Sequence, residues 1–243
     1  MRMRKGVNKL KEKTNFLDIR NQTETSADIY IYGVIRDDSW NWGWEDDPDV
    51  YPLEIKKQLD SVKGKNLTVY VNSDGGHVFA GVAIANMLKR HDGHTKAVVD
   101  GIAASIATQI VFSCDELEIP SNAYLMIHKP AGGAWGDANE LRKTADALDV
   151  IQQGLISLYM ENVHDGVTEE TIIEMVNSET WLTGSQVAEI FKVNVTEPFE
   201  VVAYAGDLSH FKNVPAAIKN RVEPEKNKNE QKQREIDITL ALI

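Results

Sequence analysis

Short apolar runs alternate with amphipathic segments between residues 29 and 127, and this alternation constrains the fold more than any other feature. The apolar runs are rich in β-branched and aromatic residues, which is typical of buried strands. They lie at 29–35, 67–71, 96–99, 116–119 and 124–127. Helices are predicted between them by amphipathic or alanine-rich segments at about 52–62, at 78–91 and around Ser105. Strands that alternate with helices predict an α/β fold with a largely parallel sheet.

A different pattern begins at Asp137, where apolar residues recur at steps of three and four. The residues that form this stripe are Leu141, Ala145, Leu148, Ile151, Leu155 and Leu158. The period and the absence of proline predict one helix over about 137–162, about 37 Å long. A compact domain of this size does not need so long a helix, so we expect it to project and to pack against another chain.

The remaining sequence divides into a folded body and two polar ends. Thr168 and the capping-box pattern at 183–186 predict two further helix starts, and residues 199–204 predict a late strand. Beyond Pro215 the chain is rich in Lys, Asn, Glu and Gln, which predicts a disordered tail. We therefore expect a basic polar arm at 1–27, one domain at 28–215 and a polar tail at 216–243.

The negative charge is concentrated in the body of the chain. Residues 1–13 contribute +5 and residues 216–243 contribute +1 to a total of −11, so residues 14–215 carry −17. An acidic body argues against a nucleic-acid-binding surface, because such a surface must neutralise phosphates. The basic arm has two interpretations, a contact for an acidic partner and a solvated tail, and the second is favoured.

The sequence indicates a cytoplasmic protein that does not interact with a membrane. Cys114 is the single cysteine, so neither a disulfide nor a cysteine metal site is expected. No apolar run is long enough to span a bilayer, and the basic N-terminus lacks the apolar core of a signal peptide.

Residues 37–49 carry three tryptophans among six acids and are predicted to form a loop, since they also contain Gly and Pro. Two interpretations of the tryptophans remain open. They form a docking surface for a peptide or a neighbouring subunit, or their rings fold back onto their own domain.

Three short stretches contain candidate catalytic groups. Ser105 is flanked by residues too small to cover it, namely Gly101, Ala103, Ala104 and Ala107. His128 follows the apolar run at 124–127, and Gly75 and Gly76 follow another apolar run. A serine, a histidine base and backbone amides for an oxyanion are the parts of a hydrolytic site. Taken singly, each has a plainer interpretation: a packing serine, a structural histidine and a tight turn.

The stretches at 70–76, 101–107 and 125–133 together resemble the Clp protease proteolytic subunit family. They follow one another in order, with 29 residues from Gly76 to Ser105 and 23 from Ser105 to His128. The resemblance extends from about residue 29 to 205. It implies an α/β fold of the ClpP and crotonase type, a spiral of β-β-α units with a long projecting handle helix.

The resemblance also implies roles for individual residues. The nucleophile falls on Ser105 and the base on His128, while the oxyanion-hole amides fall on Gly76 and Ile106. The family's third triad member is an aspartate, and the matching position here is Glu179. Other acids considered for that role are Asp146, Asp149 and Glu174. The family's substrate-aligning strand falls on Gly132, Gly133 and Ala134, which implies pairing with an extended protein or peptide substrate.

The family assembles into homo-oligomeric rings, so a heptamer or double ring joined through the handle helices is expected. An AAA+ unfoldase partner is implied, but the arm before Tyr30 and the loop at 37–49 both depart from the family. These departures resemble the Clp-like proteases of tailed phages and prophages, which are thought to mature the prohead. No metal or organic cofactor is implied, and no phosphate-loop pattern occurs, so any ATP would be used by a partner.

The leading hypothesis from the sequence is a serine endopeptidase that acts inside an oligomeric ring. The second is a crotonase-type acyl-CoA enzyme, which shares the fold and the two-amide oxyanion hole. The third is a non-catalytic Clp-like assembly or scaffold protein.

Overall fold

The computed structural model describes residues 19–41, 49–198, 208–216 and 218. These residues contain a mixed sheet of eight strands. The strands are β1 (Ile19–Arg20), β2 (Ser26–Tyr32), β3 (Asn66–Ser73), β4 (Thr95–Ala104), β5 (Glu116–Pro120), β6 (Tyr124–Ile127), β7 (Thr180–Thr183) and β8 (Asn194–Thr196). The helices are α1 (Pro52–Ser61), α2 (Val78–Lys89), α3 (Ala107–Val111), α4 (Ala138–Asn162), α5 (Glu169–Asn177) and α6 (Gly184–Ile190). The predicted α/β fold is confirmed.

The sheet is largely parallel, as predicted. Its main path runs β1-β2-β3-β4-β5-β8, and each neighbour from β2 onward is parallel. Antiparallel pairing occurs at β1 with β2 and at β6 with β7. Since β1 and the start of β2 fall within 1–27, part of the predicted polar arm belongs to the sheet.

Strand β4 divides the sheet into two branches. Its first half pairs with β5, and its second half pairs with β6, with Ala104 opposite Met126. The sequence predicted a strand only at 96–99, whereas β4 continues through Gly101 to Ala104. The small residues around Ser105 therefore belong mostly to a strand, and α3 begins only at Ala107. Small side chains suit the crowded point where β4 changes neighbours.

Two apolar cores lie on the sheet. The main core contains the buried sides of β2, β3 and β4 together with α1, α2 and α3. The second core is small and lies around the second half of β4 and β6. Its buried members are Ile102, Ala104, Met126, Phe211, Val214 and Ile218. Residues from the end of the described chain thus pack beside β6.

The long helix α4 is present over 25 residues, as predicted. It opens with a capping box in which Asp137 and Glu140 satisfy each other's backbone N–H groups. Its buried residues, Leu155, Ile156 and Tyr159, all lie in the C-terminal third. The rest of the helix is mostly exposed, as a projecting helix should be.

The predicted helix starts at Thr168 and Thr183 are also present, each with its side chain accepting a backbone N–H. The loop predicted at 37–49 begins with a short 3₁₀ turn at Asp38–Trp40, in which Trp40 is 59% exposed. Trp42, Trp44, the strand predicted at 199–204 and nearly all of the predicted tail lie outside the described residues. No helix in the described part of the chain has the length and apolar character to cross a bilayer.

Candidate active site

Ser105 lies in the turn between β4 and α3, where its backbone has φ 55°. The sequence predicted a helix around Ser105, but the residue precedes it. A left-handed conformation is strained for any residue other than glycine and persists only when its surroundings hold it. Here the N–H of Ser105 donates to the Met126 carbonyl at 2.9 Å, and Thr108 Oγ1 donates to the Ser105 carbonyl at 2.6 Å. The turn is therefore held between β6 and α3.

His128 is brought to the serine by strand register. Because β4 and β6 are parallel with Ala104 opposite Met126, the residues just beyond their carboxyl ends meet. Ser105 Oγ and His128 Nε2 are 2.7 Å apart. This is a hydrogen-bond distance that suits proton transfer from the hydroxyl to the imidazole. The predicted nucleophile and base are therefore brought together.

The surroundings of His128 favour its neutral form. Burial lowers the pKa of His128 below its ordinary value because the charged imidazolium is desolvated. The Glu179 carboxylate acts in the opposite direction and raises this pKa, whereas His210 lowers it. A neutral imidazole can accept the serine proton, so the site favours the form that a general base needs.

The glycine pair after β3 approaches the serine closely. A Cβ on Gly75 would lie 2.7 Å from the Ala104 oxygen and 2.8 Å from Ser105 Cβ, and φ at Gly75 is 95°. At Gly76, with φ 140°, a Cβ would overlap the Ile35 carbonyl. These positions accept only glycine, for steric reasons beyond those of an ordinary tight turn.

Two backbone amides beside Ser105 are available to a ligand. Among the hydrogen bonds of the described residues, neither the N–H of Gly76 nor that of Ile106 donates to a protein acceptor. An ideal Cβ on Gly75 lies 3.1 Å from the Ile106 nitrogen, so the glycine turn reaches the second amide. Free N–H groups next to a serine nucleophile are what an oxyanion hole requires.

Glu179 lies near His128 without a direct hydrogen bond to it in the described structure. It occupies the turn before β7 with φ 49°, and its charge raises the pKa of His128. Its Oε1 atom accepts the backbone N–H of Asn213 at 2.6 Å. The carboxylate is therefore anchored by Asn213, and it acts on His128 through its charge.

The three other acids that the sequence suggested are not placed to serve the base. Asp146 and Asp149 are exposed on α4, and Glu174 is exposed on α5. The carboxylate that acts on His128 belongs to Glu179.

A known protein family matches much of the folded part of the chain. Residues 54–190, more than half of the chain, match the family described as Clp protease. The chain belongs to the Clp protease family. The resemblance stated from the three sequence stretches is thereby confirmed at the level of the family.

Several curated members of the Clp protease family are similar to the chain. An ATP-dependent Clp protease proteolytic subunit from Bacteroides fragilis is 28% identical over 134 residues, which are 54% of this chain and 64% of the relative. Proteolytic subunit 2 from Thermobifida fusca is 28% identical over 51% of this chain and 62% of the relative. The chain thus spans slightly less than two thirds of the length of these relatives.

A solved Clp protease structure has the same fold. A ClpP1 mutant from Listeria monocytogenes superposes with a TM-score of 0.57 at 25% identity, over 70% of this chain and 91% of that one. The expected ClpP-type fold with its long helix is therefore confirmed.

The predicted substrate-aligning residues of this Clp protease family member do not form a strand in the single chain. Gly132, Gly133 and Ala134 are exposed and lie in an irregular segment that leads into α4. A Cβ on Gly133 would meet no atom within 4 Å. In the described part of the single subunit, no strand pairs with this segment, and its role in aligning an extended substrate stays a prediction.

Sequence reasoning missed the residues near the end of the described chain that contact the candidate catalytic groups. Phe211 packs on the His128 ring, and Asn213 binds Glu179. The signal that predicts their packing is the spacing of Leu208, Phe211, Val214 and Ile218 at steps of three, three and four. Within the described residues, no group of His, Cys, Asp and Glu has the arrangement of a metal site.

Proposed function

We propose that the chain is a serine-type endopeptidase subunit in which Ser105, His128 and Glu179 act as the triad. The observation that carries this proposal is the 2.7 Å contact between Ser105 Oγ and His128 Nε2, in a strained turn beside two free amides. A serine that only fills space in the core needs neither a left-handed backbone conformation nor a histidine partner.

In the proposed mechanism, His128 Nε2 accepts the hydroxyl proton while Ser105 Oγ attacks a peptide carbonyl carbon. The amides of Gly76 and Ile106 stabilise the oxyanion that forms, each by about 3 kcal/mol. His128 then gives its proton to the leaving amine, and the carbon–nitrogen bond breaks. Water, deprotonated by His128, hydrolyses the acyl-enzyme and restores the serine.

Glu179 would stabilise the imidazolium that appears when His128 holds the extra proton. Its negative charge already raises the pKa of His128. This effect is largest in the states where the imidazole is charged, which include the transition state. The longer glutamate side chain can thus serve where the family has an aspartate.

Cys114 is not a competing nucleophile. Burial raises the pKa of its thiol to about 12, so the reactive thiolate is scarce at neutral pH. The hydrogen bond between Ser105 and His128 also disfavours the crotonase-type alternative, which needs the oxyanion amides but not this pair.

The assembly, partners and biological setting follow from the family and are part of the proposal. We expect a homo-oligomeric ring, a heptamer or double ring, in which α4 is the handle and residues 132–134 pair with an extended peptide. Docking of an AAA+ unfoldase, cleavage of prohead proteins as in phage-encoded relatives, and a cytoplasmic location remain predictions from the sequence.

Fluorophosphonate labelling tests the proposed function. We expect one adduct per chain by intact mass in the assembled fraction of wild-type protein. The adduct should be absent in Ser105→Ala and His128→Ala. Absence of the adduct in every size fraction would contradict the protease proposal and favour the hypothesis of a scaffold protein. Thioester hydrolysis that survives Ser105→Ala would instead support the acyl-CoA enzyme.

A further inference from the structure

Residues 208–216 and 218, called here the covering segment, pack against β4, β6 and β7 and contact His128. The segment docks through apolar side chains that make their own small core with β4, β6 and β7. Phe211, Val214 and Ile218 are buried there, and Leu208 is partly buried. Their partners are Ile102, Ala104, Tyr124, Met126 and Trp181. The apolar packing holds the segment at a defined place beside the triad.

Phe211 contacts the general base directly. Its ring centroid lies 5.4 Å from that of His128 with the ring planes at 78°, which is an edge-to-face arrangement. The same ring packs against Trp181 at 5.6 Å, and only 6% of Phe211 is exposed. Phe211 is thus itself fixed, and it restricts both the rotation of the imidazole and its access to water.

Asn213 holds the acid from the same segment. Its backbone N–H donates to Glu179 Oε1 at 2.6 Å, and its Nδ2 donates to the Ser178 carbonyl at 2.8 Å. These two hydrogen bonds hold the turn at Ser178 and Glu179, in which Glu179 has a left-handed backbone conformation. A glutamate has one more rotatable bond than an aspartate, so its carboxylate needs such an anchor to stay beside the base.

We propose that the covering segment completes the active site, with Phe211 as the positioning residue for His128 and Asn213 as the positioning residue for Glu179. The inference rests on the proposed function, because it assigns the segment to the same triad. It completes the site instead of blocking it, since the Ser105–His128 hydrogen bond is formed while the segment is docked.

The two positioning roles predict opposite shifts in the pKa of His128. The groups that act on the charge of His128 are Glu179 on the turn before β7 and His210 on the covering segment, in addition to burial. Phe211→Ala admits water to the imidazole, so the pKa of His128 should rise towards its ordinary value. Asn213→Pro removes the N–H that anchors Glu179, so the carboxylate moves away and the pKa of His128 should fall.

The test measures the pKa of His128 by deuterium exchange at its imidazole C2 position, read by mass spectrometry of the peptide. It also measures the fluorophosphonate labelling rate against pH. We expect opposite pKa shifts in Phe211→Ala and Asn213→Pro, with labelling roughly tenfold slower in Asn213→Pro. Phe211→Leu keeps an apolar cover and should retain the lowered pKa. Asn213→Ala is the matched control, since it keeps the backbone N–H that binds Glu179 and removes only the side-chain hydrogen bond to Ser178.

An unchanged pKa of His128 in Phe211→Ala would overturn the proposal, as would faster labelling in either variant, which would make the segment an inhibitor. A general loss of stability does not produce pKa shifts of opposite sign. The pKa measurement does not require a reactive serine. Absence of labelling in the wild type would therefore contradict the proposed function, while the pKa shifts would still decide whether the segment positions the two residues.

Discussion

At the scale of single residues, backbone strain coincides with the proposed chemistry. Among the described residues, the non-glycine residues with positive φ are Asn21, Ser105 and Glu179, and two of these are proposed triad members. Each such conformation costs about 1–3 kcal/mol and needs surrounding contacts to persist. Both proposed triad members have such contacts: Met126 and Thr108 hold Ser105, and Asn213 holds Glu179. The strain therefore marks a site that the fold holds in place.

Replacing Glu179 with Gln should shift the pH dependence of labelling in a defined direction. The carboxylate raises the pKa of His128, so its removal lowers that pKa and moves the acidic limb of the rate profile to lower pH. The limiting rate should fall roughly tenfold or more, because the imidazolium loses its stabilising charge. The measurement is the fluorophosphonate labelling rate from pH 4 to 9, a range of roughly two units or more on each side of the ordinary histidine pKa.

Glu174→Gln is the matched control, since Glu174 is exposed on α5. Its profile should coincide with the wild-type profile. If the Glu179→Gln profile also coincided with it, Glu179 would not be the acid of the triad.

At the scale of elements, helix α4 is linked to the turn that contains Ser105 through the buried hydroxyl groups of Tyr159 and Thr108. Thr108 Oγ1 donates to the Ser105 carbonyl, so the Tyr159 hydroxyl, 2.6 Å from Thr108 Oγ1, donates to it in turn. Tyr159 is fully buried, and its ring also packs against Phe112 and Phe191. The base of the projecting helix thus supports the turn that carries Ser105.

Tyr159→Phe should lower stability and slow labelling, because it leaves the Thr108 hydroxyl without its buried donor. We expect a loss of about 1 kcal/mol, seen as a fall of about 2–4 °C in the thermal midpoint measured by circular dichroism. Tyr124→Phe serves as the control, since the Tyr124 hydroxyl makes no hydrogen bond in the described part of the chain. Equal thermal midpoints for the two variants would show that the hydrogen bond between Tyr159 and Thr108 does not contribute to stability.

At the scale of the whole molecule, α4 exposes apolar side chains that a single subunit does not cover. Leu141 is 48% exposed and Val150 is 67% exposed, although both lie on a helix with a regular apolar stripe. A monomer gains no burial energy from such side chains, whereas packing against a second subunit would remove them from water. This is the physical argument for assembly through the handle.

Changing Leu141 and Val150 together to Glu should weaken assembly, because each new charge would be buried at the interface between subunits. Sedimentation velocity should show loss of the largest species and growth of smaller ones. The control is Gln153→Glu, an added charge at an exposed polar position of the same helix. An unchanged size distribution in the double variant would exclude α4 from the interface.

The sequence alone determined the α/β class, the long helix and the identity of Ser105 and His128 as a pair. These follow from local periodicity and from motifs whose order and spacing are readable along the chain. The bounds of β6 were predicted correctly because the run at 124–127 is apolar throughout and is followed by Lys129-Pro130. The exposed segment at 132–134 did not form the predicted strand because a strand needs a partner, and the single chain supplies none there.

The form of the site depends on strand pairing and on long-range packing. The sequence could not predict that β4 runs to Ala104 and leaves Ser105 in a left-handed turn, because this depends on pairing with β6. It also could not place Phe211 on His128 or Asn213 on Glu179, since these contacts join residues that are 83 and 34 positions apart. Local patterns fix which segments are helices or strands, whereas strand register and long-range packing fix which side chains meet.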